Sequence, residues 1–434
     1  MRALVTLAFS SSILLGSDNG KPSPRADARL MTYTGDIGLL DETIDTGAHK
    51  VFPKPLITLI RNYIVRHQWH LNRSFDNIHR DKDDNVRPIH AGAWSPTNPH
   101  LFATAGGDGL IRITDVKTAL SHTWQTVDKH GFVVINDALE GHEMPVSSLS
   151  WHPNGSHLAS GSSDSNVMVW DTVTGNGRRL LTKGVGKKNH SHPGQTVYAV
   201  AYNHDGSRLA SGAGNLGRKG SVSIWNLAHA WSTAKQKAHP PVHTFAHWPK
   251  PVSALAWLKD RPSQLVASSQ DNTVRLYDTE TGEELHRLNT GHTKWTRCLT
   301  ITPDNKLLTG ATDNTVHLFD FTTSHPHKWR ALLSTTRAHS LAHAPNIDEV
   351  AAGSDNQVII VNRPTGKTLQ TLQLPLKFTT NSVSAVAYNC DGSRLAACDE
   401  SGSLNIYEQT HNTAAPSSSS SALLTPKRFS WWPF

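Results

Sequence analysis

Short apolar runs alternate with polar residues in steps of two along most of this chain. The clearest are Val222-Ser223-Ile224-Trp225, Val274-Arg275-Leu276-Tyr277, Val316-His317-Leu318-Phe319 and Leu404-Asn405-Ile406-Tyr407. A period of two places alternate side chains on opposite faces of a strand, so these segments read as sheet rather than helix. Each closes on an aromatic residue or a substitute, at Thr114, Trp170, Trp225, Tyr277, Phe319, Val361 and Tyr407. A second marker precedes each of them, at Trp94, Trp151, Tyr202, Trp257, Ile301, His343 and Tyr388. Both series give seven copies, spaced by roughly 40 to 57 residues, the mark of stacked units that cannot bury their faces alone. Between first and second strands lie Asn154-Gly155, Asp205-Gly206 and Asp391-Gly392, residues that tolerate the positive φ of a tight hairpin.

The second copy is the fullest: Val146, Leu149, Trp151, a Pro153-Asn154-Gly155 turn, Leu158-Ala159-Ser160-Gly161, Asp164, then Val167 to Asp171. With these residues the chain resembles the WD-repeat β-propellers, over about residues 66–408. The resemblance implies an all-β fold: a seven-bladed β-propeller of four-stranded antiparallel blades, which leaves no long open sheet edge. After Tyr407 the chain turns polar, so the last blade needs an outer strand from elsewhere. Gln68 to Phe75 stands where other copies carry theirs and is expected to close the ring as an N-terminal latch strand. Residues 1–65 then form an N-terminal extension with a short helix expected over Pro55 to Val65, residues 66–408 the propeller, and residues 409–434 a Ser-rich tail with an aromatic end.

The family's buried set of His, hydroxyl, Asp and Trp maps fully only onto His142, Ser160, Asp164 and Trp170. The fifth copy keeps His292, Thr309 and Asp313 but has Phe319, and the first keeps Thr104 and Asp108 but has Thr114. Such groups fix blade geometry, because a buried Asp and imidazole are costly unless each is paired. A hydrolytic triad would occur once instead of recurring in degraded copies. No catalytic residue is assigned, and no cofactor.

With 37% hydrophobic residues, the 434-residue chain can bury one large ring plus tails. The formal net charge of +7 suits anionic partners. Three cysteines, Cys298, Cys390 and Cys398, lack zinc-finger spacing and read as reduced intracellular thiols, placing the protein in cytoplasm or nucleus. The run Ala3 to Leu15 after Met1-Arg2 has the outline of a secretory signal within residues 1–17, but Ser10-Ser11-Ser12 breaks it and a small-x-small cleavage site is missing. The competing reading is a degenerate repeat remnant from Val5 to Gly20. No stretch approaches the roughly 20 apolar residues of a spanning helix. The tail residues Phe429-Ser430-Trp431-Trp432-Pro433-Phe434 suit a partner groove, a membrane interface or the ring itself.

Function is expected on the face made by the loops entering each first strand and those joining second to third strands. Lys187 and Lys188 enter the third blade, Arg218 and Lys219 join its second and third strands, and the four cations should gather for an acidic or phosphorylated segment. On the same face Trp248 and Lys250 lead into the fourth blade, and Lys294, Trp295 and Arg297 into the fifth. Exposed Trp and Arg are the types most enriched in binding hot spots. The structural alternatives are solvated loops and tryptophans that cap blade junctions. His190 and His192, His239, His243 and His247, and His325 and His327 read as loop groups without the carboxylate or Cys partners of a closed metal site, so no metal is assigned.

Sequences joining an Arg to the closing Trp-Asp, as in adaptors of cullin ubiquitin ligases, are missing: Thr172-Val173 follows Trp170-Asp171, and only Lys117 after Asp115 comes near. Arg178-Arg179-Leu180 likewise does not match the motif of phosphoinositide-binding propellers. The expected function is therefore a non-enzymatic scaffold that binds a peptide or protein segment, acidic or phosphorylated, on the loop face of blades three to five. The alternatives are a subunit of a chromatin or RNA-processing complex that meets nucleic acid through its basic loops, and an enzyme using the central channel. The sequence leaves the oligomeric state open.

Overall fold

The computed structural model describes residues 5–7, 31–33, 69–121, 123–127, 133–136, 138–180, 191–215, 219–227, 240–320, 329–333, 337–375 and 382–409. Every helix or strand among them is a strand. Seven sheets have four antiparallel strands each. Blade one runs Ile89–Trp94, Leu101–Gly106, Ile111–Asp115 and Leu120–Ser121, and blade two Val146–Trp151, His157–Ser162, Val167–Asp171 and Gly177–Leu180. Blades three to six repeat the order, with first strands at Thr196–Tyr202, Val252–Trp257, Thr296–Ile301 and Ser340–His343. Blade seven holds Val383–Tyr388, Arg394–Asp399 and Leu404–Gln409, and its outer strand is Trp69–Phe75, paired antiparallel with Leu404–Gln409 from Trp69↔Gln409 to Phe75↔Leu404.

Why the second strands end in small residues is clear from the blade faces. A Cβ added at Gly161 would lie 2.6 Å from Val197 of the next blade, and one at Gly212 2.7 Å from Val252. Sheets this close leave no room for a methyl group, while the large apolar residues of the third strands fill the wider outer space. Trp170, Trp225, Tyr277 and Phe319 are all buried there. The first-strand aromatics join neighbouring blades through their indoles. Trp151 Nε1 donates to Ala93 O at 3.0 Å, Trp257 Nε1 to Ala201 O at 2.9 Å and Trp94 Nε1 to Ala387 O at 2.9 Å, the last linking blade one to blade seven.

Trp69 fixes the strand that ends blade seven. Its indole is buried and donates to Glu349 Oε2 at 3.2 Å, and its backbone N–H and C=O both bond the Gln370 side chain, at 2.8 and 2.6 Å. Burial raises the Glu349 carboxyl above its ordinary range, and the indole bond opposes that shift. Blade one is the exception at the rim. Its outer strand has two residues, a hairpin of Trp124–Val127 with Val133–Asn136 follows, and Leu139 then returns to pair with Ile111. Val5–Leu7 pairs with Met31–Tyr33. The expected helix over 55–65 and the tail after residue 409 lie outside the described residues.

Candidate functional site

The recurrent His/Asp groups are buried rather than presented. In blade two Trp170 Nε1 donates to Ser160 Oγ at 2.8 Å, and His142 bonds Ser160 Oγ through Nε2 at 2.7 Å and Asp164 Oδ2 through Nδ1 at 2.8 Å. Burial alone would raise the Asp164 carboxyl, but the bond from His142 and the backbone amides of Glu143 and Asn166 hold it at about 2. Ser160 is fully buried, so its hydroxyl meets no solvent. This is a linchpin between loop and sheet, with no nucleophile on offer.

Blade five repeats it with changes. His292 reaches Thr309 at 3.0 Å, Asp313 at 3.2 Å and Thr315 at 2.8 Å, while the ring of His317 stacks on it at 4.0 Å. Burial and the neighbouring imidazole bring His292 down to about 4. In blade one Thr114 replaces the closing aromatic, and His79, Thr104, Asp108 and Arg112 form the set instead: His79 Nδ1 lies 2.8 Å from Asp108 Oδ1, and Arg112 donates to Asp108 Oδ2 at 2.8 Å. His79 escaped the sequence reading because the short hairpin Arg80↔Val86 separates it from its strand.

Two residues expected on the open face are in these interior sets. His192 is buried, bonding Ser211 at 2.8 Å and Ser221 at 3.1 Å, and Trp225 Nε1 shares the Ser211 hydroxyl at 2.7 Å. Trp248 takes the corresponding place for blade four. It is fully buried, with the Arg275 guanidinium 3.9 Å above its ring and Tyr277 at its edge, so it offers no surface to a partner. The reason is substitution: Ala267 stands opposite Arg275 where blade two has Ser160 opposite Met168, and a Trp/Arg stack fills the space a His and a hydroxyl fill elsewhere. His243 and His247 belong to the outer strand His243–Trp248 rather than to a loop.

The remaining cations share one face. Main-chain bonds tie each loop entering a blade to that blade's turn between second and third strands: Ser163 N to Pro145 O, Gln270 N to Pro251 O and Thr312 N to Trp295 O. In blade three Gln195 Nε2 donates to Lys219 O at 3.2 Å and Asn215 Nδ2 to Gly194 O at 2.5 Å, which brings its two loops together. Lys219 is exposed, and its neighbour Gly220 lies so close to Lys250 O that an added Cβ would be 2.5 Å away. Lys250 is exposed as well. Ser253 Oγ donates to Thr296 O at 2.8 Å, linking this blade to the exposed Lys294, Trp295 and Arg297 of the next. Trp295 keeps 47% of its surface in solvent. Lys187, Lys188, Arg218, His190, His239, His325 and His327 lie outside the described residues.

Sequence reading missed what stands beside Arg297. One guanidinium nitrogen lies 3.4 Å from His339 Nδ1, and His339 Nε2 lies 3.0 Å from Asp355 Oδ1. Asp355 holds the acidic-turn place of its blade, but His339 is no member of the His, hydroxyl, Asp and Trp set. Arg337, two residues before His339, is exposed. Among the described residues no three His, Cys, Asp or Glu side chains are grouped to hold a metal ion.

The profile of the WD domain, G-beta repeat, matches residues 134–171, 186–226, 239–278, 282–320 and 366–408. The chain belongs to the WD-repeat β-propellers. Blades one and six, whose closing residues are Thr114 and Val361, fall largely outside those matches. Among similar proteins is the nuclear distribution protein PAC1 of Arthroderma otae, 29% identical over 199 residues, 44% of this chain and 38% of that protein. The anaphase-promoting complex subunit cdc20 of Dictyostelium discoideum is 32% identical over 154 residues, 35% of this chain and 27% of its own length. A guanine nucleotide-binding protein subunit beta of Zea mays is 26% identical over 288 residues, covering 62% of this chain and 70% of its own. This WD-repeat chain thus spans well under half of the first two.

Proposed function

We propose that this propeller is a non-enzymatic interaction scaffold that grips an acidic or phosphorylated segment of a partner protein on the loop face of blades three to five. The observation that carries the reading is the arc of exposed Lys219, Lys250, Lys294, Trp295 and Arg297, stitched together by bonds between loops and blades. Cations held on a rigid ring lose little freedom on binding, and an exposed indole among them adds area that is favourable to desolvate. The similar proteins include subunits of named complexes, in keeping with a role in assembly. Lys187, Lys188 and Arg218 extend the arc in this proposal, and the three unbridged cysteines accord with work in the cytoplasm or nucleus.

The test compares wild-type protein with the triple variant Lys250→Glu, Lys294→Glu, Arg297→Glu in capture from nuclease-treated native lysate. Loss of a discrete set of partners with an unchanged melting point is the expected result. The same partners held by both proteins would remove the arc from the account. Nucleic acid bound through the basic loops is the competing outcome, recognised by capture that nuclease abolishes and that falls steeply with salt.

A further inference from the structure

The first strand of each blade is the one nearest the ring axis, and in six blades its ladder skips one residue near the loop face: His90, Ser147, Tyr198, Ser253, Arg297 and Ser384. Ser340 pairs with Gly353 as Ser148 pairs with Gly161, so His339 holds the matching place in blade six. The three serines turn their hydroxyls onto the next blade, to Val197 O, Thr296 O and Ile89 O. At those positions the residue joins one blade to the next, with a longer bond to its own second strand. Arg297 and His339 are too long for that bond and interact with each other instead.

A guanidinium only donates, so His339 Nδ1 must accept from Arg297, and the imidazole proton sits on Nε2, facing Asp355 Oδ1. The His339 side chain is 11% exposed and that of Asp355 54%, so the carboxylate orients the ring from the solvent side. The result is an Arg297 fork held beside the imidazole, with one of its five N–H groups in that contact. Charge around it is uneven. Lys294 and Arg337 are exposed on blades five and six, whereas Asp355 and Glu400 mark the turns of blades six and seven.

We propose that Arg297, positioned by His339 and Asp355, is the contact for one oxyanion of the bound segment, a carboxylate or a phosphoryl group at the axial edge of the loop face. The inference rests on the acidic-segment reading above and adds where its deciding charge sits. A planar fork suits two parallel bonds to an oxyanion, which a lysine cannot reproduce. Asp355 and Glu400 repel the same group from blades six and seven, so the anion is confined to the arginine side.

The experiment follows the Arg297 Nε–Hε NMR signal, assigned with Arg297→Lys, during titration of the complete protein with inorganic phosphate and with acetate. A saturable shift is expected with at least one anion, and their order identifies the preferred group. Asp355→Asn should weaken that response about fivefold and mix the His339 tautomers, whereas His339→Asn, which keeps an acceptor and a donor, should preserve most of it. An Arg297 signal that neither anion moves, or an Asp355→Asn response equal to wild type, overturns the proposal. Glu-containing, phosphoserine-containing and neutral peptides of otherwise equal sequence are titrated in parallel. Acidic peptides that bind while the Arg297 signal stays still refute the Arg297 contact and leave the scaffold reading standing. An anion response without any peptide binding supports the Arg297 contact and counts against the scaffold.

Discussion

Asn405 is fully buried, and among the described residues neither atom of its amide has a partner. It faces Ala397 across the ladder, where blade two sets Met168 against Ser160, so the hydroxyl that would receive the amide is missing. An orphaned buried polar group costs about 1–3 kcal/mol. Asn405→Leu should therefore raise the unfolding midpoint, and a lower one would mean that water meets the amide. The buried imidazoles set the response to acid. Burial lowers His192 from 6.5 to about 4, and burial with His317 does the same to His292. The unfolded chain binds these protons first, so stability is full above pH 6.5, falls between 6.5 and about 4, and stops falling from this cause below that. Melting curves across that window should show the decline, and His192→Leu should flatten it. At this scale the sequence was uneven. His142 and Trp170 were legible because all four members of the set survive. Trp248 was not, because a Trp/Arg stack can occupy the same space as a His and a hydroxyl, and pattern alone does not separate a buried indole from an exposed one.

Strands were legible where alternate residues differ in polarity, as in the third strands of blades three, four, five and seven. The outer strand of blade one was not, since its two halves, Leu120–Ser121 and Leu139, are separated by a hairpin with its own alternation. The outer strand of blade seven has an anchor besides its ladder. The Trp69 indole binds Glu349 of blade six and meets Tyr388 of blade seven at 5.5 Å, and its backbone bonds Gln370 of blade six, so three strands converge on one residue. Trp69→Ala should cost about 3–5 kcal/mol and expose residues 69–75 to protease before the other strands. Glu349→Gln keeps an acceptor for the indole and relieves a buried charge, so it should leave melting near wild type. Equal loss in both variants would place the anchor elsewhere.

For the whole molecule, seven blades follow from seven paired markers, and small residues on the second strands set how closely the blades stack. Strand order dictates which loops emerge together, which is how Lys219, Lys250, Lys294 and Arg297 could be assigned to one face from the sequence. His339 and Asp355 were not legible, because Arg297 of blade five meets His339 of blade six only when the ring is formed. Charge reversal at Lys250 alone should weaken binding of an acidic peptide and reduce its salt dependence, measured by fluorescence anisotropy, since each cation acts in a screened field. A salt dependence unchanged by that substitution would exclude Lys250 from contact. The most direct test of the scaffold is hydrogen exchange on the full chain with and without a captured partner. New protection should fall on residues 249–253, 293–298 and 337–339 and leave the opposite turns 153–156, 204–207 and 390–393 unchanged. Protection on those turns, or on the outer strands alone, would contradict it.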